Sequence, residues 1–187
     1  MFGAALWVVA LAIEYAYDLF KPQEGALYAA NQAMFLVGML CFLVVIAGLI
    51  RAGAAGNGRF GRISLGLFFF GWAMLAVSAV LSMFLESPIV DLIVLVGAVA
   101  STLGGFLAGI AVAVAGRLPG WTRFAPLGEG IYQLVQFLRV VFTEHEPTQL
   151  TESLWMVTWF LMGLALFVAA RHVEPAVRNE ANEPVEA

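Results

Sequence analysis

Residues 27–50 and 63–85 contain no charged side chain, and residues 89–115 contain only Asp91. Runs of this kind leave few folds open. A helix rises about 1.5 Å per residue and the hydrocarbon core of a bilayer is about 30 Å thick, so roughly 20 apolar residues in one helix cross it. All three runs exceed that length. Runs 2–20 and 151–170 are adequate, and a sixth, 127–143, is shorter and more polar. Composition agrees: the chain is 62% hydrophobic and 12% charged, against roughly 45–50% and about 25% in soluble domains. A soluble fold of 187 residues has no interior large enough to hide so much apolar surface. The pattern predicts an all-α, polytopic membrane protein, a six-transmembrane-helix bundle within residues 1–172 with helices at about 2–20, 27–50, 63–85, 89–115, 127–143 and 151–170. Residues 173–187, polar and punctuated by proline, read as a disordered cytoplasmic tail. The opening MFGAALWVVALAIEYAYDLF lacks the basic start of a signal peptide and carries Glu14 and Asp18, so it reads as a retained first helix.

The basic residues orient this bundle. Arg51, Arg59, Arg62, Arg117, Arg123, Arg171 and Arg178 fall on one side of a six-pass arrangement, and only Lys21 falls in a loop on the other. Cytoplasmic loops carry the excess of Arg and Lys, so both termini are expected in the cytoplasm, and the membrane is expected to be a bacterial plasma membrane. The same bias argues that 127–143 crosses. Without that crossing, Arg171 and Arg178 would move to the side opposite the other arginines. The loops are short. GAAGNGRFG and RLPGWTRFAP lie on the basic side, and KPQEG, ESP and TEHEP on the other. They leave no room for a second domain.

Two helices carry patterns beyond hydropathy. In the fourth, Gly97, Ser101, Gly105, Gly109 and Ala113 recur every fourth residue. Small residues in a row let helix backbones approach closely in lipid, where apolar side chains gain little by meeting. Packing inside the bundle is the first reading of this stripe, and a homodimer seam through Gly97, Ser101, Gly105 and Gly109 the second. In the fifth, Glu129, Tyr132, Gln133, Gln136, Arg139 and Thr143 fall within an arc of about 120° at 100° per residue. Such a stripe faces the bundle interior or a hydrated cavity, because a charged residue at the bilayer centre costs about 2.5–3.5 kcal/mol on insertion scales. Either it is a path or pocket for a proton or small solute, or it is interhelical hydrogen bonding that holds the bundle together. In the first helix, Glu14 and Asp18 share a face one turn apart, toward the outer end. Arg139 is expected at the same depth, so an ion pair between Arg139 and Glu14 or Asp18 is expected. Asn31, Gln32, Asp91 and Glu152 complete an expected polar, mostly acidic outer layer.

Other chemistries find no motif. A net charge of −4 gives no basic surface for nucleic acid. Cys41 is the single cysteine, which excludes an internal disulfide and reads as a small buried hydrophobe. His145 and His172 fall on opposite sides, and there is no HExxH, CxxC, Walker A or GxGxxG, nor a Ser-His-Asp set. No catalytic residue, metal site or cofactor is therefore expected. The candidate ligand or transport residues are Glu14, Asp18, Glu129, Gln133, Gln136 and Arg139.

Pro22 follows the first helix, Ala29–Ala30 start the second, and Gly58–Arg59–Phe60–Gly61–Arg62–Ile63 form the turn into the third. Leu118–Pro119–Gly120–Trp121 follows the fourth helix, and Trp155 and Trp159 lie in the last. With these motifs the chain resembles a family of six-helix membrane proteins of unknown function found in actinobacteria and Chloroflexota. Members of that family often carry a histidine before the first proline and another early in the second helix. Here Lys21 and Gln32 stand at those places, a departure that argues against a metal site. The resemblance implies the fold and a bacterial plasma membrane, and no activity.

Three functions are carried forward. The leading one is a non-catalytic membrane protein, as scaffold, accessory subunit of an unidentified membrane partner, or small-ligand or lipid binder. It predicts polar groups satisfied in pairs. The second, a proton or small-solute transporter, predicts a hydrated cavity running from Glu129 toward Arg139. The third, an intramembrane metal-dependent hydrolase in the outer acidic layer, predicts three or more carboxylates or imidazoles at one point.

Overall fold

The computed structural model describes residues 1–17, 25–85, 87–143 and 148–180, with side chains in the last stretch as far as Arg171. Six α-helices follow in order: α1 (Phe2–Tyr17), α2 (Ala26–Arg51), α3 (Arg59–Ser82), α4 (Pro88–Ala115), α5 (Ala125–Thr143) and α6 (Gln149–Glu180). A single 3-10 turn, Gly120–Phe124, leads into α5, and the described residues hold no strand. The protein is an all-α bundle. Four segments are long and apolar enough to cross a membrane: α2, α3, α4 and the Gln149–Arg171 part of α6. The chain is therefore membrane-embedded, with lipid as the solvent for exposed side chains such as Val44, Ile63, Leu92 and Val114.

The two remaining helices depart from the expected lengths. α1 has 16 residues, about 24 Å at 1.5 Å each, and Asp18 and Lys21 lie outside the described residues. It also starts partway along its neighbours: Gly3 sits against Gly38 and Cys41 of α2, and the Met1 nitrogen against Gly163 of α6. α5 has 19 residues and owes its lower hydropathy to its own polar stripe. α6 runs helical to Glu180, beyond the expected end near 170 and into the stretch expected to be a tail; residues 181–187 lie outside the described residues.

Local signals set the helix ends. Ser87 caps α4, its hydroxyl accepting from the Ile89 N–H at 3.3 Å, with Pro88 in the first turn. The other end of α4 stops at Gly116, whose φ of 63° is a left-handed conformation that glycine adopts without strain. Chain direction then gathers the arginines. The α2–α3 loop and the α4–α5 turn meet, with Arg117 Nη1 beside Gly53 and Ala115 beside Gly56. Arg51, Arg59, Arg62, Arg117 and Arg123 thus share one end of the bundle with Arg171, whose guanidinium stacks over Phe167 at 4.4 Å.

The most extensive pairing is α3 with α4, followed by α4 with α5. The small face of α4 makes both possible. A side chain at Gly97 would lie 3.1 Å from the Gly71 carbonyl of α3, and one at Gly109 would lie 2.5 Å from Leu127 Cα of α5. A side chain at Gly130 of α5 would come equally close to the Gly105 carbonyl, at 2.6 Å. Gly97, Ser101, Gly105 and Gly109 are all buried by the chain's own helices. The packing reading of the stripe therefore holds. Within one chain, α3 and α5 already occupy the surface that a homodimer seam through these four residues would need.

Candidate polar site between helices α4, α5 and α6

α5 retraces α4 in the opposite direction: Leu127 lies opposite Gly109, Gly130 opposite Gly105 and Gln133 opposite Ser101. The polar stripe of α5 consequently faces the small stripe of α4. Small side chains there leave the volume that a glutamate and two glutamines need.

Glu129 is fully buried. Its Oε1 accepts from Trp155 Nε1 of α6 at 3.3 Å. Its Oε2 points toward Gly105 and has no partner; a methyl group at Gly105 would lie 3.3 Å from it. One turn on, Gln133 is buried and donates from Nε2 to Ser101 Oγ at 2.9 Å. The Ser101 hydroxyl in turn donates a hydrogen bond to the Ala98 carbonyl at 3.1 Å. Gln133 Oε1 has no partner, and neither does Oε1 of half-buried Gln136. Tyr132, beside the Gln136 amide, donates its hydroxyl to the Thr151 carbonyl of α6 at 2.7 Å. Hydrogen bonds thus tie α5 to α4 once and to α6 twice. Three acceptor oxygens on one face, at 129, 133 and 136, are left without a donor.

The expected outer layer comes together differently. Arg139 is half-buried and within electrostatic reach of Tyr132, but it makes no ion pair with Glu14. α1 packs on α2 and α6, whereas α5 packs on α4 and α6, so α6 stands between the two groups. That expectation was wrong for Glu14; Asp18, its other candidate partner, lies outside the described residues. Glu14 instead neighbours Glu152 of α6, which also approaches the Trp7 indole. Asp91 is exposed and does not join them, while Asn31 is buried, with no partner for either amide atom. Among the described residues, no three His, Cys, Asp or Glu side chains come together as metal ligands would. His145 and the His172 side chain lie outside the described residues.

An aromatic cluster beside this site was not read from the sequence. Phe42 stacks on Trp159 at 4.1 Å and meets Trp72 edge-on at 5.1 Å. Trp7 packs against Phe35 at 4.9 Å, and Trp155 lies 5.7 Å from Trp72. The indole N–H groups of Trp72 and Trp159 are buried without partners among the described residues, Trp7 lies near Glu152, and Trp155 donates to Glu129. One signal was available: four of the five tryptophans fall within apolar runs rather than at their ends, where interfacial tryptophans sit.

Fold and site together define a membrane-embedded helical bundle with a buried acidic and amide ladder. No family model matches the chain, and no match was found among curated proteins or solved structures.

Proposed function

We propose that this is a non-enzymatic protein of a bacterial plasma membrane, with its arginine-rich end cytoplasmic, that binds a proton at Glu129 and passes it along the α5 ladder. The supporting observation is the unpartnered Glu129 Oε2, fully buried and in line with the unpartnered oxygens of Gln133 and Gln136. In lipid, an ionisable group without a counter-charge is expensive, and such groups mark proton and ion paths. A proton is the smallest cation that settles a sealed carboxylate, and acceptor oxygens in a row suit the water molecules that carry it onward. The gathering of arginines at one end of the bundle supports placing that end in the cytoplasm. The resemblance to six-helix actinobacterial and Chloroflexota proteins fits this placement.

The scaffold reading has its own support in the three cross-helix bonds of α5 to Ser101, Trp155 and Thr151. Proteoliposomes loaded with a pH-sensitive dye separate the two under a potassium diffusion potential. Wild-type protein should dissipate a proton gradient faster than empty vesicles, and Glu129→Gln should return to the empty-vesicle rate while eluting as a folded species. Equal rates for wild type, Glu129→Gln and empty vesicles would leave α5 as a clamp and nothing more.

A further inference from the structure

We infer a binding site for an anionic glycerophospholipid in the groove between the arginine-rich halves of α2 and α6. The groove encloses about 540 Å³ and is walled by Gly48 and Ala52 of α2, Leu166 and Ala169 of α6, and the turn carrying Arg117. That volume is within the range of about 300–1,000 Å³ typical of ligand pockets. It lies apart from Glu129 and is independent of the proton reading.

Three features specify the occupant. The first is place. α1 meets α2 at Gly38 and Cys41 and α6 at Gly163, whereas the groove lies about two turns nearer the arginine-rich end, along the turn of α2 from Gly48 to Ala52. The second is the wall chemistry. Ala52 and Ala169 are small, so an acyl chain can lie close to the backbone, and Leu166, which covers Gly48, supplies apolar contact. The third is charge. Arg117 lines the groove at its arginine-rich end, is exposed, and makes no hydrogen bond or ion pair with a described residue. Arg51 and Arg171, exposed, adjoin the lining residues Ala52 and Ala170 in the chain. A phosphate on a guanidinium, beside an apolar groove that takes part of an acyl chain, is the chemistry of a phospholipid. A soluble phosphate compound would use the arginine and leave the slot empty.

The test is native mass spectrometry of delipidated full-length protein in detergent, titrated with palmitoyl-oleoyl phosphatidylglycerol or the matching phosphatidylcholine. Wild-type protein should retain one phosphatidylglycerol about five-fold more strongly than phosphatidylcholine, the difference one arginine supplies near a membrane surface. Arg117→Gln should bring the two lipids level. Ala169→Phe should fill the slot and lower retention of both, while Glu129→Gln should retain lipid as wild type does. Circular dichroism and size exclusion identify any misfolded variant, and Ala52→Phe then replaces Ala169→Phe as the slot-filling change. Equal retention of the two lipids by wild type, or unchanged phosphatidylglycerol retention in both Arg117→Gln and the folded slot-filling variant, would overturn the assignment. So would displacement of the lipid by glycerol 1-phosphate at equal concentration, which would make the site one for free phosphate.

Discussion

Gly109→Ala is the sharpest probe of how α4 and α5 are held together. The new methyl group would lie 2.5 Å from Leu127 Cα and 2.8 Å from the Pro126 carbonyl oxygen. Carbon atoms pack at about 3.5–4.0 Å, so the shortfall is about 1 Å. Both opposing atoms are backbone and cannot rotate away, so the first turn of α5 must move. Overpacking of this kind costs about 1–3 kcal/mol, and replacing a helical glycine by alanine returns about 0.5–1 kcal/mol. The net expectation is a loss of about 1–2 kcal/mol. Gly66 of α3 is the control, since nothing lies within 4 Å of a methyl group placed there. Gly66→Ala should gain up to about 1 kcal/mol, which separates the two variants by roughly 2 kcal/mol. Reversible SDS unfolding in mixed micelles, followed by the fluorescence of the buried tryptophans, measures the difference. Gly130→Ala, facing the Gly105 carbonyl at 2.6 Å, should add less than its own full loss to Gly109→Ala, because both open one interface. If Gly109→Ala proves as benign as Gly66→Ala, the two backbones do not meet there and the ladder built on that contact is misplaced.

Further outcomes follow from the same geometry. A cycle of Glu129→Gln and Trp155→Phe should show a coupling of about 0.6 kcal/mol and at most about 1.7 kcal/mol, the range for hydrogen bonds between membrane helices; zero coupling would remove the 3.3 Å contact. Arg139→Gln and Glu14→Gln should be additive, because α6 separates the two residues, and a clear coupling would mean that α1 and α5 touch. In a Cys41→Ala background, an impermeant maleimide should label Thr148→Cys in intact cells and spare Asn57→Cys; the reverse pattern would invert the orientation.

The legible parts of this fold were those that depend on neighbours in sequence. Hydropathy located α2, α3 and α4, and the four-residue recurrence from Gly97 to Ala113 announced a close-packed face, because both properties are local to one helix. The partners were not legible. Gln133 meets Ser101 across 32 positions and Trp155 meets Glu129 across 26, and no spacing rule ties those residues together. The expected pairing of Arg139 with Glu14 failed for a related reason. Counting residues from a helix end gives depth in the membrane, but not which helices stand side by side, and α6 takes the place between α1 and α5. The tryptophan cluster was not legible because its indoles come from three separate helices, α1, α3 and α6, which no spacing within one run brings together.

The stripe on α4 and the stripe on α5, separate motifs in sequence, are two halves of one interface, and that has a testable consequence. A methyl group at Gly105 would meet Phe68 Cε2 at 2.9 Å and Glu129 Oε2 at 3.3 Å. Unlike the obstacles at Gly109, both are side-chain atoms that can shift without moving a helix. Gly105→Ala should therefore cost less stability than Gly109→Ala, by about 1 kcal/mol, since relief comes from rotamers rather than backbone. It should nevertheless disturb the ladder, because the displaced group is the carboxyl oxygen that has no partner to hold it. Proton flux in the vesicle assay should fall while SDS stability stays near wild type. If Gly105→Ala instead loses stability as Gly109→Ala does and leaves flux unchanged, Glu129 is fixed by packing alone, and the space opposite the α4 glycines serves close approach rather than a working carboxyl.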